Sequence, residues 1–205
     1  DYFVRSYLRG ETPNPCLRCN PFIKFRIGIA YALNQGVGFV ASGHYCRVEE
    51  TPQGVRLLKG VDPQKDQSYF LAFLNREQLS HICFPLGHMT KAAVTALAGE
   101  KNLVPLRAGE SQDVCFIQPE ETYGQFIARQ ADRTPQPGLI ENMDGTVIGE
   151  HDGVHLFTVG QRRGINCPAA EPYYVAAIDV EKNRIRVGFK KDLLAAQCLV
   201  RDLDW

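Results

Sequence analysis

The chain has 205 residues, of which 44% are hydrophobic, 10% aromatic and 22% charged, a composition of folded globular proteins that excludes disordered, collagen-like and membrane-embedded classes. Its 23 basic residues cancel its 23 acidic ones, and a net charge of zero argues on its face against a strongly anionic partner. Locally the balance breaks: residues 1–75 hold nine Lys/Arg against six Asp/Glu, residues 76–155 six against eleven and residues 156–191 seven against three, so two basic blocks flank an acidic middle.

The first residue is Asp1, not a start methionine, so the chain is expected to begin in mid-element with sequence missing upstream. Tyr2, Phe3, Tyr7 and Leu8 mark one face of a helix that Gly10 ends. The opening residues carry no signal-peptide core, and no segment approaches the ~18 apolar residues of a membrane span, which points to the cytoplasm and to no membrane partner. After the TPNP turn, residues 21–34 open on Pro21 and place Ile23, Ile27, Ala30 and Leu33 at helical spacing, closed by Gly36. Residues 37–42 read as a short buried strand running into Gly43, His44 and Tyr45. A helix followed by such a strand suggests an α/β sheet, whose ligands sit off the carboxyl ends of the strands.

Residues 45–50 and 55–59 flank TPQG and predict a hairpin. Two helical patterns come next, over 66–82 and 90–102, the second with Ala93, Val94, Leu97 and Ala98. From about residue 124 the chain turns β-rich, with a hairpin signal at Asp144–Gly145 and two alternating strands around Glu181–Asn183, so a boundary is expected within residues 123–135. The last two strands, with no partners beyond Trp205, are expected to leave a barrel incomplete, because an isolated hairpin is marginal in water.

Seven cysteines cannot all pair internally, and a chain without secretory features keeps its thiols reduced. Only Cys16 and Cys19 have ligand-like spacing. With no second CxxC, zinc is the weaker reading of them. In TPNPCLRCN (residues 12–20) both thiols lie on a proline-framed turn beside Arg18, and Cys19 is expected just ahead of the helix that starts at Pro21. A positive neighbour and a helix start favour the reactive thiolate. In SQDVCFI, Cys115 is expected at the start of a short apolar strand, where a cysteine is either a small hydrophobe or, paired with another reactive thiol, a sulfur carrier. Gly43 stands at a strand end where a backbone can approach a nucleotide, with His44 beside it. Lys65, Asp66 and Gln67, followed by Ser68, Tyr69 and Phe70, read equally as a nucleic-acid contact and as the polar start of a helix. Arg162 and Arg163 in TVGQRRG could hold phosphates or form a solvated basic turn.

Taken in order, TPNPCLRCN, IKF, ASGHY, KDQSYFL, FPLG, SQDVCFI, IGEHDG, TVGQRRG and EPYYV resemble the tRNA-specific 2-thiouridylases along nearly the whole chain. The resemblance implies an α/β fold of the ATP-pyrophosphatase type, part of an adenine nucleotide alpha hydrolase-like domain, over residues 1–123. A small β-containing central domain over 124–170 and the start of a β-barrel over 171–205 would come after it. It implies sulfur transfer to C2 of the wobble uridine of tRNA. Cys19 would be the catalytic nucleophile, Cys115 the persulfide carrier, and Asn14, Pro15 and Cys16 the segment that meets the target base. Gly43 would contact ATP, used with Mg2+, and Lys65, Asp66 and Gln67 would contact tRNA, with Arg162 and Arg163 as further candidates. A cysteine desulfurase or sulfur-relay protein would donate the sulfur, with no tightly bound metal in this segment. Two departures stand out. Many members carry Asp where this chain has Cys16, and the family's phosphate-gripping SGGxDS loop is not among these residues and is expected upstream, so the chain is expected to be inactive by itself. A CxxC zinc or redox module that binds RNA without chemistry is the alternative. An RNA methyltransferase lacks support from any glycine-rich cofactor loop.

Overall fold

The computed structural model describes residues 2–103, 114–118, 120–131 and 136–201. The chain divides into two compact units, one formed by Asn14–Gln112 and the other by Asp1–Pro13 together with Asp113–Trp205.

In the Asn14–Gln112 unit, a helical run starts at Pro15 and not at Pro21. It comprises α2 (Pro15–Cys19), a π-helical turn (Asn20–Phe25) and α3 (Arg26–Asn34), and it comes after α1 (Tyr2–Leu8), which belongs to the other unit. Asn14 sets the start. Its side chain accepts from the amides of Cys16 (3.1 Å) and Leu17 (3.4 Å), and Pro15 occupies the first helical position, where a missing N–H costs nothing. The expected apolar stripe is not the buried face: Ile23, Ile27 and Leu33 are exposed, whereas Phe25 and Ile29 are buried. Two causes act together. The run is apolar almost all round, so its period does not single out a face. The wider π turn then rotates α3 relative to the face that an uninterrupted α-helix would present.

The expected strand over 37–42 shrinks to β1 (Val40–Ala41), half-exposed, which pairs in parallel with β4 (Ile82–Cys83). Between them lies the expected hairpin, β2 (Cys46–Thr51) against β3 (Gly54–Lys59). The single helix expected over 66–82 is instead a 3-10 turn (Ser68–Leu71), then α4 (Arg76–Ser80), then β4. A reciprocal capping box between Asn75 and Gln78 starts a new helix there and interrupts the old pattern. The expected helix over 90–102 is α5 (Lys91–Glu100), started by the Thr90 hydroxyl accepting from the Ala93 amide at 3.2 Å. The core joins Phe25 and Ile29 to Cys46, Leu71, Leu74, Leu79, Ile82 and Phe84.

The other unit contains α1, α6 (Tyr123–Ala131) and a four-stranded sheet of β5 (Gly138–Glu141), β6 (Val147–His151), β7 (Tyr174–Asp179) and β8 (Arg184–Gly188). Strand order is β6-β5-β8-β7, with β5 and β8 parallel and the other neighbours antiparallel. Both expected hairpins form. The last two strands are not left without partners, because β8 also pairs with β5. The division expected at residue 170 therefore runs through a continuous sheet. No closed barrel forms among the described residues. Ile140, Phe157, Ile165, Val175, Ile185 and Val187 form the sheet's core, and Phe3, Val4 and Ile127 join α1 to α6 in a second cluster.

Candidate active site

The thiols of Cys16 and Cys19 lie on one turn of α2, both half-buried. This turn is tethered at both ends. Asn14 caps its start, and Asn20, itself buried, donates from Nδ2 to the Phe70 carbonyl at 2.8 Å. One residue on, the Pro21 carbonyl accepts from Gln78 Nε2 at 2.7 Å. Asn20 and Gln78 were not singled out in the sequence, because a side chain that bonds a backbone ~50 residues away leaves no periodic mark. Cys16, and not Cys19, occupies the helix start, since the helix begins six residues before the proline expected to open it.

The tether to Phe70 carries α2 against the Ser68–Leu71 turn, and so next to Lys65–Gln67. There the side chains of Asp66 and Gln67 serve the protein's own backbone. Asp66 accepts from the Gly60 amide (2.9 Å) and the Ser68 hydroxyl (2.8 Å). Burial pushes its carboxyl up, yet those hydrogen bonds outweigh burial and hold it below the usual carboxylate range. Gln67 clamps Tyr45 from two sides: its Oε1 accepts from the Tyr45 amide at 3.0 Å and its own amide donates to the Tyr45 carbonyl at 3.0 Å. Lys65 is half-buried, and its amide donates to the Asp62 carbonyl at 3.2 Å.

The Gln67 clamp leads to the end of β1. Here Ser42 Oγ and His44 Nδ1 are 2.6 Å apart, and the His44 ring lies 6.0 Å from the Phe25 ring and 6.3 Å from the Phe84 ring. Burial, assisted by the positive charge of Lys24, lowers the His44 pKa to about 4, so the imidazole is neutral at physiological pH. Gly43 is exposed at the carboxyl end of a parallel strand. A Cβ there would meet only Leu86 Cδ1, at 3.7 Å, an ordinary contact, so the chain's own packing does not require the glycine. The main-chain edge at Gly43 is therefore bare.

Three motifs far apart in sequence thus converge in one unit: the Cys16–Cys19 turn, Lys65–Gln67 and Gly43–Tyr45. Cys115, Arg162 and Arg163 belong to the other unit. Cys115 is exposed on a turn closed by the Ile117 amide and Val114 carbonyl at 3.4 Å, and does not start a strand. Val114 and Ile117 pack on the α1–α6 cluster, and the Phe116 ring meets the Phe3 ring edge-on at 5.2 Å. Its apolar neighbours anchor the turn and leave the thiol outward. Arg162 and Arg163 are exposed on a loop that the Gln161 side chain organises, accepting from the Thr158 amide (3.1 Å) and donating to the Arg163 carbonyl (2.9 Å). Gly160, at φ +88°, supplies the left-handed step that this loop needs. Among the described residues no three His, Cys, Asp or Glu side chains gather to hold a metal ion, so the zinc alternative gains no further ligand for Cys16 and Cys19.

An α/β unit that carries the thiol turn, joined in the same chain to a mixed β-sheet, is consistent with a HUP domain followed by a PRC-barrel domain. The families described as tRNA methyl transferase HUP domain and tRNA methyl transferase PRC-barrel domain match residues 1–119 and 124–189. Over its whole length the chain is 56% identical to the tRNA-specific 2-thiouridylase MnmA of Desulfosudis oleivorans, covering 57% of that protein. It is 45% identical to tRNA-specific 2-thiouridylase MnmA 2 of Syntrophus aciditrophicus, covering 60% of it, and 43% identical to the Geobacter metallireducens protein of the same name as the first, covering 56%. The chain belongs to the family described as tRNA methyl transferase HUP domain, and it spans somewhat over half the length of the 2-thiouridylases that it matches.

Proposed function

We propose that this chain handles the sulfur in an enzyme that thiolates C2 of the wobble uridine of tRNA. The observation that carries the reading is the pair of differently presented thiols: Cys19 on a doubly tethered turn, and Cys115 on an outward turn anchored by its neighbours. Cys115 accepts S0 from a donor protein as a persulfide, for which exposure is the first requirement. ATP, used with Mg2+, supplies the activation that turns the C2 oxygen into a leaving group, and Gly43 offers it a main-chain edge. The terminal persulfide sulfur bonds to C2 as AMP departs. Cys19 thiolate then attacks the Cys115 sulfur, that S–S bond breaks, the outer sulfur stays on C2, and a Cys19–Cys115 disulfide remains to be reduced. Asn14, Pro15 and Cys16 form the turn that meets the base. Lys65 supplies charge toward tRNA on a loop that Asp66 and Gln67 hold in shape, and Arg162 and Arg163 add charge in the other unit.

On this reading residues 1–123 belong to the nucleotide-using domain, and the enzyme works in the cytoplasm, where thiols stay reduced. No helix among the described residues is long and apolar enough to cross a membrane. Incubating the chain with a cysteine desulfurase and cysteine should add one sulfur atom to the peptide holding Cys115, seen by mass spectrometry, and Cys115→Ser should abolish it; loading that survives this change overturns the assignment. In an enzyme containing this chain, Cys19→Ser should eliminate 2-thiouridine while leaving tRNA adenylation intact.

A further inference from the structure

Cys16 has no assigned chemistry beyond lying in the base-contacting segment, yet its position relative to Cys19 is specific. The Asn20 amide donates to the Cys16 carbonyl, so the Cys16–Asn20 turn closes as a regular α turn. On such a turn, Cα atoms three residues apart lie about 5 Å from each other, inside the ~4.4–6.8 Å range that a disulfide bridges. Helical side chains lean toward the N-terminus, so Cys19 lies over Cys16. The tethers at Asn14 and Asn20 hold the turn in place, and both thiols are half-buried, within reach of a small reagent. The unit's other cysteines are differently placed. Cys46 is fully buried, its thiol pushed up to about 12 by burial and then by Asp66, and Cys83 lies in β4.

We propose that Cys16 is a resolving thiol for Cys19, so that the CxxC turn is an internal redox pair that clears any mixed disulfide formed at Cys19. The step is a thiol–disulfide exchange with no net oxidation. Cys16 thiolate attacks Cys19 Sγ, the Cys16–Cys19 bond forms, the bond from Cys19 to its outside sulfur breaks, and that sulfur leaves as a thiolate and takes a proton from water. An external dithiol reductant then returns both cysteines to thiols. The proposal rests on the sulfur-transfer reading for its purpose: the outside sulfur would be Cys115, released for another round.

The experiment treats the intact chain with glutathione disulfide, blocks remaining thiols by alkylation and maps tryptic peptides. Cleavage after Arg9, Arg18 and Lys24 places Cys16 on peptide 10–18 and Cys19 on peptide 19–24. Wild type should yield these two peptides linked to each other without glutathione. Cys16→Ser and Cys16→Asp should keep glutathione on peptide 19–24, with a lifetime at least ~10-fold longer, because the intramolecular attacker is gone. A stable glutathione adduct on wild-type Cys19, or both thiols still alkylated under excess reagent, overturns the proposal. Two variants guard against one simply misfolding, checked by circular dichroism. The exchange uses neither Cys115 nor tRNA, so its failure leaves the sulfur-transfer reading standing, and failed persulfide loading at Cys115 leaves this pair standing.

Discussion

At the scale of single residues, neutral histidines set how the chain responds to acid. Burial lowers the pKa of His44 to about 4, and also lowers those of His151 and His155, both buried in the other unit. Each imidazole binds a proton more readily in the unfolded chain than in the folded one. The stability it contributes is therefore complete above the ordinary histidine value of about 6.5, and for His44 it drains as pH falls through the interval down to about 4. Urea midpoints measured from pH 7.5 to 4.5 should fall, and His44→Gln should flatten the part of the curve belonging to the Asn14–Gln112 unit. An amide can still bond Ser42 but cannot take up a proton. An unchanged slope in this variant would show that His44 does not control the acid response. The same neutrality bears on chemistry: beside Gly43, His44 at physiological pH offers a hydrogen-bonding group and not a positive charge.

At the scale of elements, the helical run Pro15–Asn34 shows where pattern reading works and where it stops. The existence of helix there is legible from Pro21 and the apolar content, but its start is not, because Asn14 and Pro15 read as a turn and instead cap and open the run. Which side faces the core is not, because Ile23, Ile27 and Ala30 keep helical spacing as well as Phe25 and Ile29 do, and the π turn at Asn20–Phe25 moves the face. The consequence is measurable. Phe25→Ala, which empties a site that is 1% exposed, should cost about 3–5 kcal/mol, whereas Ile27→Ser, at 61% exposure, should change stability by no more than ~0.5 kcal/mol. Urea denaturation of the two variants decides it, and a larger loss for Ile27→Ser would restore the expected stripe. The hairpins were legible because turn residues and alternation fix them together, as at Asp144–Gly145 and Glu181–Asn183. Helix α6 went unread although its signal was present. Thr122 and Gln125 exchange bonds in a capping arrangement, with Thr122 Oγ1 accepting from the Gln125 amide at 3.3 Å and Gln125 Oε1 accepting from the Thr122 amide at 2.9 Å. Of the candidate site, residue types and order could be read, but the tethers that bring Cys19, Gln67 and Tyr45 together could not. They run from side chains to distant backbone, as Asn20 to Phe70 does.

At the scale of the whole molecule, the cancelling charges no longer argue against a nucleic-acid partner, because neutrality of the sum is compatible with local excess. In the basic block over 156–191, Arg184 pairs with Glu141 and Lys182 approaches Asp179 at 3.7 Å, so part of the positive charge is spent internally. Arg162 and Arg163 form no ion pair among the described residues and stand exposed on the loop held by Gln161. If tRNA is the partner, each of these arginines neutralises a phosphate and releases a counterion on binding. Arg162→Gln with Arg163→Gln should weaken tRNA binding similarly across different tRNAs and reduce the slope of log affinity against log salt by about two. Arg184→Gln should act differently. Glu141 is buried, and losing its partner leaves a carboxylate uncompensated, so this variant should lower stability while changing the salt slope little. Filter binding over a range of salt concentrations, run beside urea melts, separates the two effects. An unchanged slope in the double variant would remove Arg162 and Arg163 from the proposed tRNA contacts and leave Lys65 as the basic residue to test next.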